Sequence, residues 1–452
     1  MSGASDPACQ RILLIGEGPL SEVAARTLGE AGALVRALSD PSDREIRESI
    51  AAGVDAVMAI SRDDRVSLRL ALVIEALAPG VRLIVTVYNR DLGAELRRAV
   101  PNVRVMSMGD IVAPSLAAAC LDEELLSVRV GDQGHLVGIR SAADGSGPVA
   151  APLALHRANL SERVVRNLSS LLHPFELSAK TLLAGLSGFA LILIADSLGV
   201  GLALHESAID SIYSATKTIV TVGPNTRLDN GPAWLKLYSA AMMLAALAFT
   251  GVFIAGLIDR LLDRRLVAII GPRSMPRRDH VVVVGLGQVG LRLCMMLHAL
   301  GVPVVAVEVD PQIDNIRRAR QYDVPVVIGR GSSRAVLRRL SLERARAIAA
   351  VTSDEIENIA AAVAALAIRG NLRTVLRAGS GDVLDETRAL FRIGAVRDVY
   401  LIGGTLLAAA ALGSSADEAF GADDAIWVIA DGGAIERADR HLAGDPVALD
   451  QP

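Results

Sequence analysis

Residues 285–290 read Gly-Leu-Gly-Gln-Val-Gly. Three glycines at G-x-G-x-x-G spacing each have a physical task where a strand turns into a helix. Gly285 permits the tight turn, Gly287 lets backbone approach a diphosphate, and Gly290 lets the helix lie close on the strand. The N–H groups at the start of that helix, around Leu286, Gln288 and Val289, then face anionic oxygens. The flanking text fits: His280 and the run Val281–Val284 precede the turn, a helical pattern follows to Leu300, and a strand over 304–309 holds Glu308. An acid about 20 residues beyond the turn is placed for ribose hydroxyls. The competing reading is that the glycines only tighten a packed α/β turn.

Such a turn needs a parallel sheet behind it, and the chain contains two candidates. Ala347-Ile-Ala-Ala-Val-Thr-Ser-Asp-Glu355 matches Ala56-Val-Met-Ala-Ile-Ser-Arg-Asp-Asp64, and Leu372–Leu376 falls opposite Val81–Val85 without a gap. This is an internal repeat. In the N-terminal copy strands are expected at 11–16, 34–38, 56–60, 82–87 and 103–106, with helices at 66–77 and 92–99 among them; the alternation predicts a parallel sheet. That copy is about 22 residues shorter before the match, losing the counterpart of Val324–Ser333. Its turn, Gly16-Glu-Gly-Pro-Leu-Ser21, has Pro19 inside it, Ser21 for the third glycine, and Ser39 opposite Glu308. It reads as structural or as a much altered binding site.

Between the copies lie two apolar segments. Leu237–Ile258 carries no charge, and about 22 residues of helix cross ~30 Å of hydrocarbon. Trp234, Lys236 and Tyr238 stand at its start, and Asp259, Arg260, Asp263, Arg264 and Arg265 at its end, as at membrane interfaces. In Thr181–Leu204 the charge-free core stops at Asp196, an acid expected to reach the headgroup layer. Arginines flank both segments on one side: Arg157, Arg163 and Arg166 before the first, the basic stretch to Arg278 after the second. That places both copies in the cytoplasm.

The 452 residues are 52% hydrophobic and 3% aromatic, with mean hydropathy +0.42, as expected of a partly membrane-embedded chain. A net charge of −4 gives no reason to invoke nucleic acid. Cys9, Cys120 and Cys294 are isolated and odd in number, and the seven histidines are dispersed, so neither a disulfide framework nor a metal centre is supported. Met1–Gln10 lacks the apolar core of a signal peptide, so the chain is expected to begin in the cytoplasm and to return there after two spans.

These residues resemble a known family. The soluble copies look like domains that regulate potassium conductance (RCK, or TrkA N-terminal type), and the middle looks like the two-span pore of ligand-gated potassium channels. The resemblance covers about 11–127, 177–262 and 280–412, and rests on the 281–290 turn, on Val351-Thr-Ser-Asp-Glu-Ile-Glu-Asn358, and on 213–223. It implies NAD or an adenine nucleotide (ADP or ATP) bound as a regulator, in cytoplasmic domains that pair into a ring pulling on pore helices. It places Gly329, Arg330, Thr352 and Arg377 beside that ligand; for Arg330 and Arg377 a solvated surface role is the alternative. Ala208–Thr218 resembles a pore helix, whose C-terminal dipole favours a cation. Thr221, Val222 and Gly223 match the family's selectivity filter, and then the sequence departs, with Pro224, Asn225 and Thr226 replacing Tyr-Gly-Asp. Asn225 tolerates left-handed backbone, whereas Pro224 fixes φ and removes an N–H. Lys217 adds a positive charge nearby. Since one loop cannot form a ring of carbonyls, four chains are required. Gly251 and Gly256 fit either a gating bend or close packing.

The expected architecture is therefore two α/β Rossmann-like copies flanking an α-helical two-span pore module. Its parts are an N-terminal domain (1–130), a linker with an amphipathic pre-span segment (131–176), the pore domain (177–262), a basic connector (263–279), a C-terminal domain (280–412) and a tail (413–452). The favoured function is a homotetrameric, nucleotide-regulated cation channel of the plasma membrane, with potassium as the ion and both termini cytoplasmic. The alternative is a membrane-anchored nucleotide sensor or regulatory subunit without its own pore. A dehydrogenase is disfavoured, since no separate catalytic domain or proton donor is evident.

Overall fold

The computed structural model describes residues 10–130, 135–142, 147–153, 177–205, 207–219, 232–266, 276, 278–379, 393–422, 425–430 and 433–443. The chain divides into two compact units, one formed by 1–163 with 271–452 and the other by 164–270.

In the first unit the N-terminal copy runs β1 (Arg11–Ile15), α1 (Pro19–Glu30), β2 (Leu34–Leu38), α2 (Asp43–Ala51), β3 (Ala56–Ala59), α3 (Asp64–Leu77), β4 (Arg82–Thr86), α4 (Arg90–Ala99), β5 (Val103–Met106) and α5 (Met108–Leu121). Its strands pair in parallel in the order β2-β1-β3-β4-β5. After α5 come β6 (Leu125–Val130), β7 (Leu136–Ser141) and β8 (Pro148–Pro152), an antiparallel meander. Composition suggested a linker over 131–176. Residues 136–141 and 148–152 instead form strands, because β7 pairs with β6 and β8 with β7, which satisfies their backbone groups.

The second unit holds α6 (Leu177–Leu204), α7 (Ala208–Ile219) and α8 (Ala233–Leu266). The most apolar 18-residue windows have mean hydropathy 1.9 within Ala184–Ala203 and 2.3 within Ala233–Ile258, and 22% and 11% of those windows are buried. Core helices of a soluble protein would be mostly covered, so both are candidate spans. Glycines let α6 approach its neighbour: a Cβ on Gly185 would meet Phe253 backbone at 2.9 Å, and one on Gly188 the Phe249 ring at 2.1 Å. Tyr238 donates its hydroxyl to the Ala195 carbonyl at 2.8 Å. Asp196 does not point outward as expected but is fully buried, on the packed side of a helix whose far side is apolar. A Cβ on Gly251 would meet no other part of the described chain within 4 Å, so close packing among the described residues does not explain it. Lys217 lies over the Tyr213 ring at 5.7 Å.

Returning to the first unit, the C-terminal copy runs β9 (Val281–Val284), α9 (Gln288–Ala299), β10 (Val304–Glu308), α10 (Asn315–Gln321), β11 (Val326–Ile328), α11 (Arg334–Arg339), β12 (Ala347–Ala350), α12 (Glu355–Leu366), β13 (Arg373–Ala378), β14 (Ala395–Asp398) and α13 (Val399–Ala411). The sheet order is β11-β10-β9-β12-β13-β14. Strand for strand it repeats the first copy, with β11 added where the first copy is short. Residues 413–452, read as a tail, contain β15 (Glu418–Ala422), β16 (Ala425–Ile429), β17 (Ile435–Arg437) and α14 (Ala438–Ala443). β15 and β16 share a small core with the first meander, in which Leu126 and Ile139 meet Phe420 and Ile429.

The copies are joined by exchange. Helix α5 leaves its own sheet to pack on α9, β12 and β13, while α13 crosses back onto α1, β3 and β4. Both are apolar on nearly every face, with eleven buried residues each, and a helix of that kind must be covered all round. Contact is close: a Cβ on Gly109 would lie 2.9 Å from the Gln288 carbonyl, and one on Gly404 2.6 Å from Val23. Each crossing ends on an arginine of the opposite copy. Arg82, at the start of β4, donates to the Ala411 carbonyl at 2.7 Å, and Arg373, in register at the start of β13, donates to the Leu121 carbonyl. Both satisfy carbonyls at a helix C-terminus, where a cation is favoured. Asp110 of α5 also pairs with Arg292 of α9 at 3.2 Å.

Cys120 and Cys294 are buried in this interface, and burial pushes the Cys120 thiol up to about 12, which leaves it inert. His280 is buried too. Its Nε2 lies 2.9 Å from the Leu340 carbonyl, and burial holds its pKa below the ordinary 6.5, with the Leu340 bond and Asp279 only partly opposing.

Two outcomes follow. Arg373→Ala removes the cap on α5 and should lower the thermal midpoint of the purified chain by about 2–5 °C, with Arg82→Ala matching it. The fold favours neutral His280, so its contribution is complete above pH 6.5 and is lost as pH falls below that value toward the folded pKa. His280→Gln, measured by thermal midpoint against pH, should flatten that acid-side decline.

Candidate functional site

The turn after β9 is built by its glycines. Gly285 has φ +91°, and a Cβ there would lie 2.7 Å from the Thr352 side chain; one on Gly290 would lie 1.9 Å from the Gly285 carbonyl oxygen. Gly287 has φ −63° and a Cβ there would meet nothing within 4 Å, so the described fold itself does not require glycine at this position. It caps α9 with no side-chain hydrogen bond, which leaves the first-turn N–H groups available to an anion.

Glu308 ends β10 beside this turn. Its Oε2 accepts from Leu286 N at 2.7 Å, and its Oε1 accepts from Val309 N at 2.8 Å and Asp310 N at 3.0 Å. The carboxylate thus braces the turn while still lining the cavity. Across the sheet, buried Asn358 locks the ends of β12 and β13. Its Oδ1 accepts from Thr352 N at 2.9 Å and from the Thr352 hydroxyl at 2.8 Å, and its Nδ2 donates to the Thr352 and Arg377 carbonyls at 3.1 Å. Asp354 caps α12 through Ile356 N and Glu357 N.

These elements line a cavity of about 560 Å³ at the C-terminal ends of the strands. Of the residues expected there, Gly285, Gly287, Gln288, Val289, Glu308, Gly329, Arg330, Thr352 and Arg377 all face it. Leu286 and Gly290 do not: Leu286 is buried and contributes its N–H to Glu308, and Gly290 seats the helix. Arg330 is exposed on the rim. Arg377 stacks on the Tyr400 ring at 5.5 Å and donates to its hydroxyl at 3.3 Å. Thr221, Val222, Gly223, Pro224 and Asn225 lie outside the described residues.

The first copy supplies the facing wall, with Glu17, Pro19, Leu20, Arg62, Tyr88 and Met108. Arg62 donates to the same Tyr400 hydroxyl at 3.3 Å, so guanidinium groups from both copies meet on one phenol. Burial raises the Tyr88 pKa. Sequence reasoning missed Arg62 although a signal existed: the repeat alignment sets Ser61-Arg62 against Thr352-Ser353, in the same strand-end loop. The altered turn is accommodated by Ser21, buried with its hydroxyl donating to the Glu17 carbonyl at 3.4 Å.

Comparison with known proteins agrees with this geometry. Residues 281–397 match the TrkA-N domain family. The chain is 23% identical over 214 residues to Potassium channel protein 1 of Methanocaldococcus jannaschii, across 45% of this chain and 62% of that protein. It therefore spans less than two thirds of this relative's length. Among solved structures, the GsuK RCK domain superposes with TM-score 0.50 at 16% identity, over 89% of this chain and 76% of that one. The GsuK channel gives TM-score 0.50 at 16% identity, over 91% and 66%. The structural likeness establishes a shared fold.

The glycines separate two effects. Gly287→Ala fits the empty space, so the thermal midpoint should stay within about 1 °C while affinity for NAD, ADP or ATP, by calorimetry, falls about tenfold or more. Gly290→Ala should lose stability and binding together, because its Cβ collides with the turn.

Proposed function

We propose that this chain is a subunit of a nucleotide-regulated cation channel in which the paired Rossmann copies are the sensor and α6–α8 the pore module. The observation that carries this reading is the cavity walled by both copies, with the uncapped N-terminus of α9 and Glu308 on one side and Arg62 on the other. The match of 281–397 to the TrkA-N domain and the similarity to a methanogen potassium channel protein support it. The ligand is NAD or an adenine nucleotide. Its diphosphate lies over Gly287 on the α9 N-terminus, its ribose against Glu308, and Thr352, Gly329, Arg330 and Arg377 complete the pocket. A ligand held between the copies draws them together, and about 1–3 kcal/mol of coupling per site is enough to bias a shared gate.

The proposed pore is fourfold, since a filter of Thr221, Val222 and Gly223 carbonyls needs four chains. The conducted ion is potassium, in the plasma membrane, with both termini cytoplasmic. The second reading is a membrane-anchored sensor without conduction. It is favoured by Pro224 and Asn225 in the filter and by the ammonium of Lys217 near the C-terminal end of α7, where the helix dipole would otherwise stabilise a cation.

Reconstituted liposomes distinguish the two. The channel reading expects potassium flux above sodium flux, altered severalfold by NAD, ADP or ATP and insensitive to them in Gly287→Ala; a detergent-corrected tetramer mass should accompany it. Nucleotide binding with no flux under any condition would leave the sensor reading standing and end the channel one.

A further inference from the structure

The N-terminal edge of the six-stranded sheet carries a second concavity, of about 420 Å³. It is at the opposite end of the strands from the Gly285–Gly290 turn. Arg373 opens β13, Arg346 directly precedes β12, and Asp279 stands two residues before β9. Arg344 and Arg369 complete the wall.

How these guanidinium groups are held decides what the concavity attracts. Arg369 donates to the Ala345 carbonyl at 2.7 Å and to the Asn371 side-chain oxygen at 3.0 Å. Arg373 donates to the Leu121 carbonyl. Neutral oxygens orient these forks without cancelling their charge. Among the described residues only Arg346 of these four meets a carboxylate at hydrogen-bond range, bidentate to Asp279 at 2.8 and 2.6 Å. Glu123 approaches Arg373 no closer than 3.9 Å and is 71% exposed. Arg344 is exposed and makes no ion pair among the described residues. Four arginines thus face two carboxylates, and the forks of Arg346, Arg369 and Arg373 are held before any ligand arrives. Planar guanidinium groups in that arrangement match the oxygens of a phosphate group, to which they bind in a bidentate, charge-assisted manner.

We propose that this concavity binds a phosphate-bearing anion, from a free phosphorylated compound or a phospholipid headgroup. The site is separate from the nucleotide cavity and independent of the function proposed above. Because Arg373 also caps α5 of the opposite copy, an anion here engages one of the two arginines that hold the exchanged helices.

The test uses the full chain and reads amide hydrogen exchange over 341–346 and 369–373. One arm adds pyrophosphate in detergent at constant ionic strength; the other compares nanodiscs of zwitterionic lipid with discs containing phosphatidylglycerol. Slower exchange with pyrophosphate supports a free phosphate ligand, and slower exchange only in anionic discs supports a headgroup. Arg344→Glu, at an exposed position, should fold and weaken the effect about tenfold; Arg369→Gln is the second variant, and Gly287→Ala should leave the effect intact. Unchanged exchange in both arms, or an effect that persists in Arg344→Glu, overturns the proposal.

Discussion

The structure depends on the exchange of two apolar helices. Neither α5 nor α13 has a polar face to give to water, so each can be stable only when enclosed, and each copy lends the other the surface that encloses it. The hydrophobic effect drives this burial without specifying direction. Direction comes from polar contacts at the ends: Arg82 and Arg373 tie the last carbonyls of α13 and α5, and Asp110 pairs with Arg292. These groups are costly to bury unless partnered, and the exchange partners them.

That constraint produces the candidate site. The Gly285–Gly290 turn alone would be an open surface, with an uncapped helix N-terminus facing solvent. The exchange brings the altered turn of the first copy and its Arg62 and Tyr88 opposite, converting the surface into a two-walled cavity. Glu308 holds its turn through three backbone N–H groups, and Asn358 holds the adjoining strand ends, so the N–H groups that would receive an anion are oriented beforehand. Arg377 and Arg62 converge on Tyr400, which gives the cavity one point where both copies meet.

The second unit follows different physics. Its helices are apolar outward and closely packed inward, with glycines at the contacts and Asp196 turned to the packed side. For candidate spans that would face lipid, association would gain little from hydrophobicity and would rely on close packing and hydrogen bonds such as Tyr238 to Ala195.

Local text determined much of this molecule. The period-two and apolar runs located the strands of the first copy to within about a residue, the glycine spacing located the turn, and charge-free length located the two long helices. These features depend on neighbours in sequence, which is why they were legible. The strands β7 and β8 were not, because they stand among Gly, Ala and Pro and are fixed only when β6 pairs with β7 and β7 with β8. The inward turn of Asp196, the role of Glu308 as a brace and the contribution of Arg62 were likewise settled by partners far along the chain. Above all, nothing local states that α5 and α13 exchange. Their all-round apolarity demands cover, and only the folded arrangement of both copies decides which surface provides it.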